Sequence, residues 1–130
     1  MQSQLKILFL DDHAGLRDGI GFLLSQKNEN LSFLYATNRE EGEKILRENS
    51  EISLAIIDLN LEDESKDGLS ALKAFRKIKS DLKAIIFTMY ADPIHIEQAL
   101  KSGVQGYITK NAEIEELENA ILTVASGKTC

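Results

Sequence analysis

The segment LKILFLDD, residues 5–12, is an apolar run that ends in two consecutive aspartates. A second run of this kind, LAIID at residues 54–58, also ends in an aspartate. Neither run alternates between apolar and polar side chains, so each predicts a strand that is buried on both faces. Such strands are typical of parallel sheets that carry helices on either side.

The rest of the chain repeats this arrangement. Short apolar runs predict five strands, at residues 5–10, 31–35, 53–57, 84–88 and 105–108. After each run, apolar residues spaced three and four positions apart predict an amphipathic helix. Asn38 and Asp92 suit helix N-caps, Pro93 suits a first helical position, and Gly103 suits the end of the fourth helix. Because strands joined by helices pair in parallel through right-handed crossovers, the sequence predicts an open three-layer α/β sandwich.

Composition and charge limit the class of protein. The chain has 130 residues, of which 43% are hydrophobic, which is enough for one domain. Its 15 basic and 21 acidic residues give a net charge of −6, which repels nucleic-acid backbones and anionic lipids. No apolar run approaches the roughly 20 residues of a membrane helix, so we expect a cytoplasmic protein without a membrane partner. A single cysteine, Cys130, excludes an internal disulfide.

Polar side chains lie at or just after the ends of four predicted strands: Asp11 and Asp12, Asp58, Thr88, and Lys110. The carboxyl ends of parallel strands meet at one edge of the sheet, where ligands bind. Crowded carboxylates repel one another unless a cation is present, and their hard oxygens favour Mg²⁺, with Mn²⁺ as the alternative, over Zn²⁺. A lysine and a hydroxyl opposite the carboxylates favour a phosphoryl group between metal and ammonium. The pattern indicates phosphoryl transfer onto or off a carboxylate.

With these residues in place, the chain resembles a response-regulator receiver domain of two-component signalling. The resemblance depends on residues 10–13, the strand that ends at Asp58, residues 87–89 and residues 106–110, and it covers essentially the whole chain. The Asp-Asp-His and GYITKNA segments are similar to the NarL/FixJ branch, whose members usually carry a LuxR-type helix-turn-helix output domain. The resemblance implies a flavodoxin-like (βα)5 sandwich with a five-stranded parallel sheet in the order 2-1-3-4-5.

The resemblance also implies a domain division and a metal site. Residues 1–126 are expected to form the receiver domain, and residues 127–130 to begin a linker to an output domain outside this sequence. Asp58 would be the phosphoacceptor. Asp11 and Asp12 would hold Mg²⁺ directly or through water, together with Asp58 and the backbone carbonyl of Asn60.

The remaining site residues would sense phosphorylation. Lys110 would pair with the phosphoryl group, and we expect its ammonium to be exposed at the strand end. Thr88 would hydrogen-bond a phosphoryl oxygen, and the ring of Tyr107 would follow the movement of Thr88, so that these two residues form the switch. The sequence assigns no metal role to His13 or His95.

The leading functional prediction is a phosphorylation-controlled switch rather than a conventional enzyme. A sensor histidine kinase would donate a phosphoryl group to Asp58, and the receiver would catalyse its own transfer and later hydrolysis. The change would favour homodimers or release a tethered output domain, which would regulate transcription by binding DNA. The alternative is a pseudo-receiver, a phosphorylation-independent interaction module, but no site residue is missing. A small Mg²⁺ phosphatase would require an Asp-x-Asp motif, whereas Asp11 and Asp12 are adjacent.

Overall fold

The computed structural model describes residues 4–59 and 68–129, in which strands and helices alternate along the chain. The strands are β1 (Leu5–Leu10), β2 (Leu31–Ala36), β3 (Leu54–Ile57), β4 (Lys83–Thr88) and β5 (Gly106–Thr109). The helices are α1 (Ala14–Lys27), α2 (Arg39–Glu48), α3 (Gly68–Ile78), α4 (Pro93–Lys101) and α5 (Ile114–Ala125). All five predicted strands are confirmed, each to within one residue at either end.

The five strands form one parallel sheet in the order β2-β1-β3-β4-β5, which confirms the expected fold class. The register pairs Leu10 with Ala36 on one side and with Ile57 on the other. On the far side of the sheet, Thr88 pairs with Thr109. The carboxyl ends of β1, β3, β4 and β5 therefore reach the same edge, where the polar residues that follow them are brought together.

The sheet has a hydrophobic core on each face. In β1, Leu8 and Leu10 belong to the core that packs under α2, α3 and α4, whereas Ile7 and Phe9 belong to the core under α1 and α5. All four side chains are fully buried. Because successive residues of a strand point to opposite faces, a strand between two helical layers is apolar at every position that the helices cover, which in β1 begins after Lys6. This packing explains why the first strand shows no alternation in the sequence.

The predicted helix ends are also found. The side chain of Asn38 accepts a hydrogen bond from the backbone N–H of Glu41 (2.9 Å), and Asp92 caps α4, in which Pro93 is the first residue. Gly103 follows α4 with a φ of +75°, a left-handed conformation that glycine adopts without steric cost. Among residues 4–59 and 68–129, no helix is long and apolar enough to cross a membrane.

Arg76, on α3, forms hydrogen bonds with the segment before β4 and with the turn after α4. Its guanidinium donates hydrogen bonds to the backbone carbonyls of Leu82 (3.2 Å), Ser102 (2.8 Å) and Gly103 (2.9 Å). Burial lowers the pKa of Arg76 from its ordinary value. The residue holds the start of β4 and the turn after α4 against α3, a role that the apolar pattern of the helix does not reveal.

Candidate functional site at the carboxyl edge of the sheet

Three site residues lie one position beyond a strand and remain bonded to the sheet. The backbone N–H of Asp11 donates to the carbonyl of Ala36 (3.1 Å), and that of Asp58 donates to Leu10 (3.0 Å). Across the sheet, the N–H of Lys110 donates to the carbonyl of Thr88 (2.8 Å). These bonds continue the parallel ladder, so the backbone of each residue is fixed by the rigid part of the fold.

The ammonium of Lys110 lies between two carboxylates. Its Nζ is 2.8 Å from Oδ2 of Asp11 and 3.1 Å from Oδ2 of Asp58. The side chain of Lys110 is only 6% exposed, so the expectation of an exposed ammonium is wrong: two buried anions draw it into the edge of the sheet. Burial alone would lower the pKa of Lys110, but the hydrogen bond to Asp11 and the charges of Asp58 and Asp11 outweigh it and raise that pKa.

Three carboxylates and one imidazole converge beside this ammonium. One ligand atom from each of Asp11, Asp12, Asp58 and His13 lies within 4.8 Å of the others. The three aspartate side chains are almost completely buried, whereas His13 is half exposed. Buried carboxylates at this spacing are the hard oxygen donors that a divalent cation requires, so the residues present fit such an ion. Asn60, whose carbonyl was expected to contribute, lies outside the described residues.

The two expected switch residues, Thr88 and Tyr107, both form hydrogen bonds with the backbone of Tyr90. Thr88 is fully buried, and its Oγ1 accepts a hydrogen bond from the backbone N–H of Tyr90 (3.3 Å). Tyr107 donates its hydroxyl proton to the backbone carbonyl of Tyr90 (2.6 Å), and the ring of Tyr90 stacks on His95 with centroids 4.2 Å apart. Burial, with the nearby charge of Asp92, raises the pKa of Tyr107, so its hydroxyl stays protonated as a donor at neutral pH.

The sequence interpretation missed Arg17. Its guanidinium is buried, and Nη1 donates to the backbone carbonyl of Asp11 (3.2 Å) and to the hydroxyl of Thr37 (3.1 Å). Arg17 therefore supports the backbone of the acid cluster from α1. A signal for it exists, because Arg17 lies seven positions before the buried Leu24 and so shares the inner face of the helix.

Gly68, at the start of α3, is a second residue whose role the sequence interpretation did not identify. A methyl group at this position would overlap the backbone carbonyl oxygen of Asp58 and approach Cα of Leu59 to 2.9 Å. Gly68 thus lets α3 begin directly against the strand end that carries Asp58. Its signal in the sequence was its place as a glycine at a loop-to-helix boundary.

A parallel α/β sheet in this strand order, with an acid cluster and a lysine at its carboxyl edge, has the architecture of the flavodoxin-like proteins, which bind ligands at that edge. The chain matches the response regulator receiver domain over residues 7–122. It therefore belongs to the response regulator receiver family, and the predicted resemblance is confirmed.

Curated relatives support the same branch. The chain is 33% identical over 126 residues to the oxygen regulatory protein NreC of Staphylococcus epidermidis, an alignment that covers 96% of this chain and 56% of NreC. NreC of Staphylococcus carnosus is 32% identical, with 96% and 57% covered. The chain thus spans little more than half the length of these relatives. They are consistent with the NarL/FixJ branch.

Solved structures agree in fold. A LuxR-family two-component response regulator from Aurantimonas superposes with a TM-score of 0.87 at 26% identity, covering 98% of this chain and 89% of that one. A CheY-like receiver domain protein from Methanospirillum hungatei gives a TM-score of 0.82, also at 26% identity, with 96% of each chain covered. The likeness extends over the whole of the sheet and both helical layers.

Proposed function

We propose that this receiver domain is switched by Mg²⁺-dependent phosphorylation of Asp58, with a sensor histidine kinase as the phosphoryl donor. The observation that carries the proposal is the position of the Lys110 ammonium, 3.1 Å from Asp58 and 2.8 Å from Asp11 at the end of the central strands. A buried cation beside a carboxylate nucleophile is suited to pair with the dianion that phosphorylation creates there. Membership of the receiver family supports the same assignment.

The cation would be held by Asp11, Asp12 and Asp58, with the carbonyl of Asn60 as the further ligand that the family resemblance implies. When bound, Mg²⁺ supplies positive charge that offsets both the carboxylates and the incoming phosphoryl oxygens. Within this set, the backbones of Asp11 and Asp58 are anchored by the sheet ladder, and the carbonyl of Asp11 is also held by Arg17.

In the transfer step, a carboxylate oxygen of Asp58 attacks phosphorus while the bond between phosphorus and the donor's leaving group breaks. The leaving group retains the electron pair of that bond, and Asp58 becomes an acyl phosphate. Lys110 pairs with an oxygen of the transferred group. In the later hydrolysis, water attacks phosphorus, the bond between phosphorus and the Asp58 oxygen breaks, inorganic phosphate leaves, and the Asp58 carboxylate is restored.

Thr88 and Tyr107 would report this change. The Thr88 hydroxyl, now bonded to Tyr90, would turn to a phosphoryl oxygen. That movement would vacate space toward which the Tyr107 ring turns, at the expense of its bond to the Tyr90 carbonyl. The bound phosphoryl group thereby shifts a pre-existing equilibrium by the contacts it makes in one state only.

The whole protein would use this switch to regulate transcription in the cytoplasm. Its curated relatives extend well beyond the length of this chain, and one similar solved structure is a DNA-binding response regulator of the LuxR family from Staphylococcus aureus. We assign residues 1–126 to the receiver and residues 127–130 to the start of a linker. With a net charge of −6, the receiver itself is a poor ligand for DNA, so a further domain would bind it.

The test is phosphorylation by acetyl phosphate, followed by intact mass. With Mg²⁺, the wild-type chain should gain one phosphoryl group, and chelation of the metal should abolish the gain. Asp58→Asn should not be labelled. Asp81→Asn is the matched control, because Asp81 is exposed and precedes β4 at the opposite edge of the sheet, and it should label like the wild type. Equal labelling of Asp58→Asn would refute the assignment, and no labelling of any chain would favour the phosphorylation-independent module.

A further inference from the structure

His13 occupies a position that its sequence context did not suggest. It precedes α1 as the N-cap residue, but its side chain makes no capping hydrogen bond. The imidazole folds back onto the acid pair, with Nδ1 3.2 Å from Oδ1 of Asp11 and 3.2 Å from Oδ1 of Asp12. Its backbone N–H donates to the same oxygen of Asp11 (2.9 Å), which fixes the turn in this conformation.

The two oxygens of Asp11 are divided between opposite sides of the site. Oδ2 faces the ammonium of Lys110, whereas Oδ1 faces His13. The imidazole nitrogen thus lies 3.2 Å from each of the two Oδ1 atoms, whereas the ammonium of Lys110 contacts the other oxygen of Asp11. His13 is 59% exposed, so this side of the cluster can be reached from solvent while the aspartates remain buried.

The distances from the imidazole nitrogen to the two carboxylate oxygens, which are also within hydrogen-bond range, are compatible with ligands on one metal ion. Neighbouring donors of an octahedral ion with bonds of about 2.1–2.2 Å lie about 3.0–3.1 Å apart. The distance from His13 to each carboxylate oxygen, 3.2 Å, is close to that value. A nitrogen ligand changes the preference of the site, because Mg²⁺ favours oxygen donors whereas imidazole suits first-row transition ions.

We propose that His13 is a further ligand of the cation site, and that it gives this receiver a higher affinity for divalent transition ions such as Co²⁺ than for Mg²⁺. The inference rests on the cation role proposed above for Asp11, Asp12 and Asp58. It adds the imidazole as the residue that decides which ion is preferred. Mg²⁺ would use the carboxylates alone.

The test measures metal binding directly, by titration calorimetry with CoCl₂ and with MgCl₂ at a single pH. Every chain carries Cys130→Ser, so that the thiol does not compete for Co²⁺. His13→Ala should weaken Co²⁺ binding by about tenfold or more while Mg²⁺ affinity stays within about twofold. The matched control is His95→Ala, which removes an exposed imidazole on α4 and should change neither affinity. Asp12→Asn should weaken both metals, which places them in one site.

A spectroscopic readout separates ligation from an indirect effect. In the Co²⁺ complex of the wild-type chain and of His95→Ala, proton NMR should show a strongly shifted, exchangeable imidazole N–H resonance. This resonance should be absent in His13→Ala. Its persistence there, an unchanged Co²⁺ affinity, or an equal loss of Mg²⁺ and Co²⁺ affinity would overturn the inference. A chain that binds both ions as described but is not labelled at Asp58 would refute the proposed function and leave the role of His13 intact.

Discussion

At the scale of single residues, the central feature is a buried ammonium that shares its charge between two carboxylates. Lys110 contacts Asp11 and Asp58, and the hydrogen bonds and charges of these residues hold its pKa above the ordinary value despite the opposing effect of burial. In the phosphorylated state, the same ammonium would gain a stronger anionic partner. Lys110 is thus placed both to stabilise the resting cluster and to detect its modification.

Lys110→Ala should make the stability of the protein depend strongly on a divalent cation. Without the ammonium, the carboxylates of Asp11, Asp12 and Asp58 repel one another, so the free energy of unfolding should fall by about 3–5 kcal/mol in metal-free buffer. Added Mg²⁺ should recover much of this loss, which urea titrations with and without MgCl₂ would measure. Lys101→Ala removes an exposed lysine paired with Glu97 and should cost no more than about 0.5 kcal/mol under either condition.

The same variant should no longer relay phosphorylation. Amide chemical shifts of the wild-type chain should respond to beryllofluoride around Tyr107, whereas those of Lys110→Ala should not. A response like that of the wild type would contradict the sensing role of Lys110.

At the scale of elements, the helix starts set the shape of the site. Gly68 allows α3 to begin against the carbonyl oxygen of Asp58, and its backbone N–H donates to the carbonyl of Leu59 (3.2 Å). At α4, Asp92 caps the helix and holds His95, whose ring stacks on Tyr90 beside the bonded hydroxyl of Tyr107. The first residues of α3 and of α4 therefore lie close to residues with a proposed functional role, Asp58 and Tyr107.

Gly68→Ala should destabilise the protein, because the new methyl group overlaps backbone atoms that cannot rotate away. We expect the free energy of unfolding to fall by about 1–3 kcal/mol and acetyl phosphate labelling at Asp58 to slow. The control, Gly15→Ala in α1, meets no atom within 4 Å and should raise stability by about 0.5–1 kcal/mol. Urea denaturation would measure both, and a change of the same sign in the two variants would contradict the steric account.

Asp92→Asn should change how the stability of the protein depends on pH, because it removes the negative charge at the start of α4. Desolvation alone would raise the pKa of Asp92, but hydrogen bonds from the ring and backbone of His95 lower it below 3.8. A lowered folded-state pKa stabilises the protein above the unfolded value, and this stabilisation is lost as pH falls through the folded value. Since asparagine is also a good N-cap, the wild type should be the more stable at neutral pH, and the difference should vanish in acid.

Thermal unfolding of both chains between about pH 5 and pH 2 would follow this loss, since a carboxylate with a lowered pKa is protonated in that window. A difference in melting temperature that does not change with pH would show that the charge of Asp92 contributes nothing.

At the scale of the whole molecule, large apolar side chains among the described residues are exposed on both helical layers of the sandwich. On the side of α4 they include Met89, Ile94 and Leu100, which are 61–71% exposed. On the side of α1 and α5 they include Leu16, Phe22, Leu23 and Leu122. The surface of α4 adjoins Tyr107 through Tyr90 and His95, so a change at the site has a short path to it.

We expect beryllofluoride to promote homodimers through the surface formed by α4, β5 and α5. Lys101→Glu reverses an exposed charge on α4 and should weaken such a dimer, as measured by sedimentation with and without beryllofluoride. The comparison variant is Glu118→Lys, at a partly exposed position of α5 between the exposed residues Glu115 and Asn119. Loss of the dimer in Glu118→Lys alone would assign the interface to α1 and α5 and contradict the coupling through α4.

Local patterns were sufficient for the strands, for the three-layer α/β class and for the membership of most of the site, whereas the strand order was implied by the family resemblance. Continuous apolar runs mark strands buried on both faces, and a parallel sheet then brings Asp11, Asp58 and Lys110 to one edge whatever the details of packing. Spacing alone does not tell where a long side chain ends. Lys110 reaches a carboxylate 52 residues away and is buried there, and the imidazole of His13 turns back onto Asp11 and Asp12 while remaining partly exposed. Arg76 and Gly68 likewise have roles only because distant segments pack against them, since burial and charge pairing depend on neighbours that are far apart in the chain.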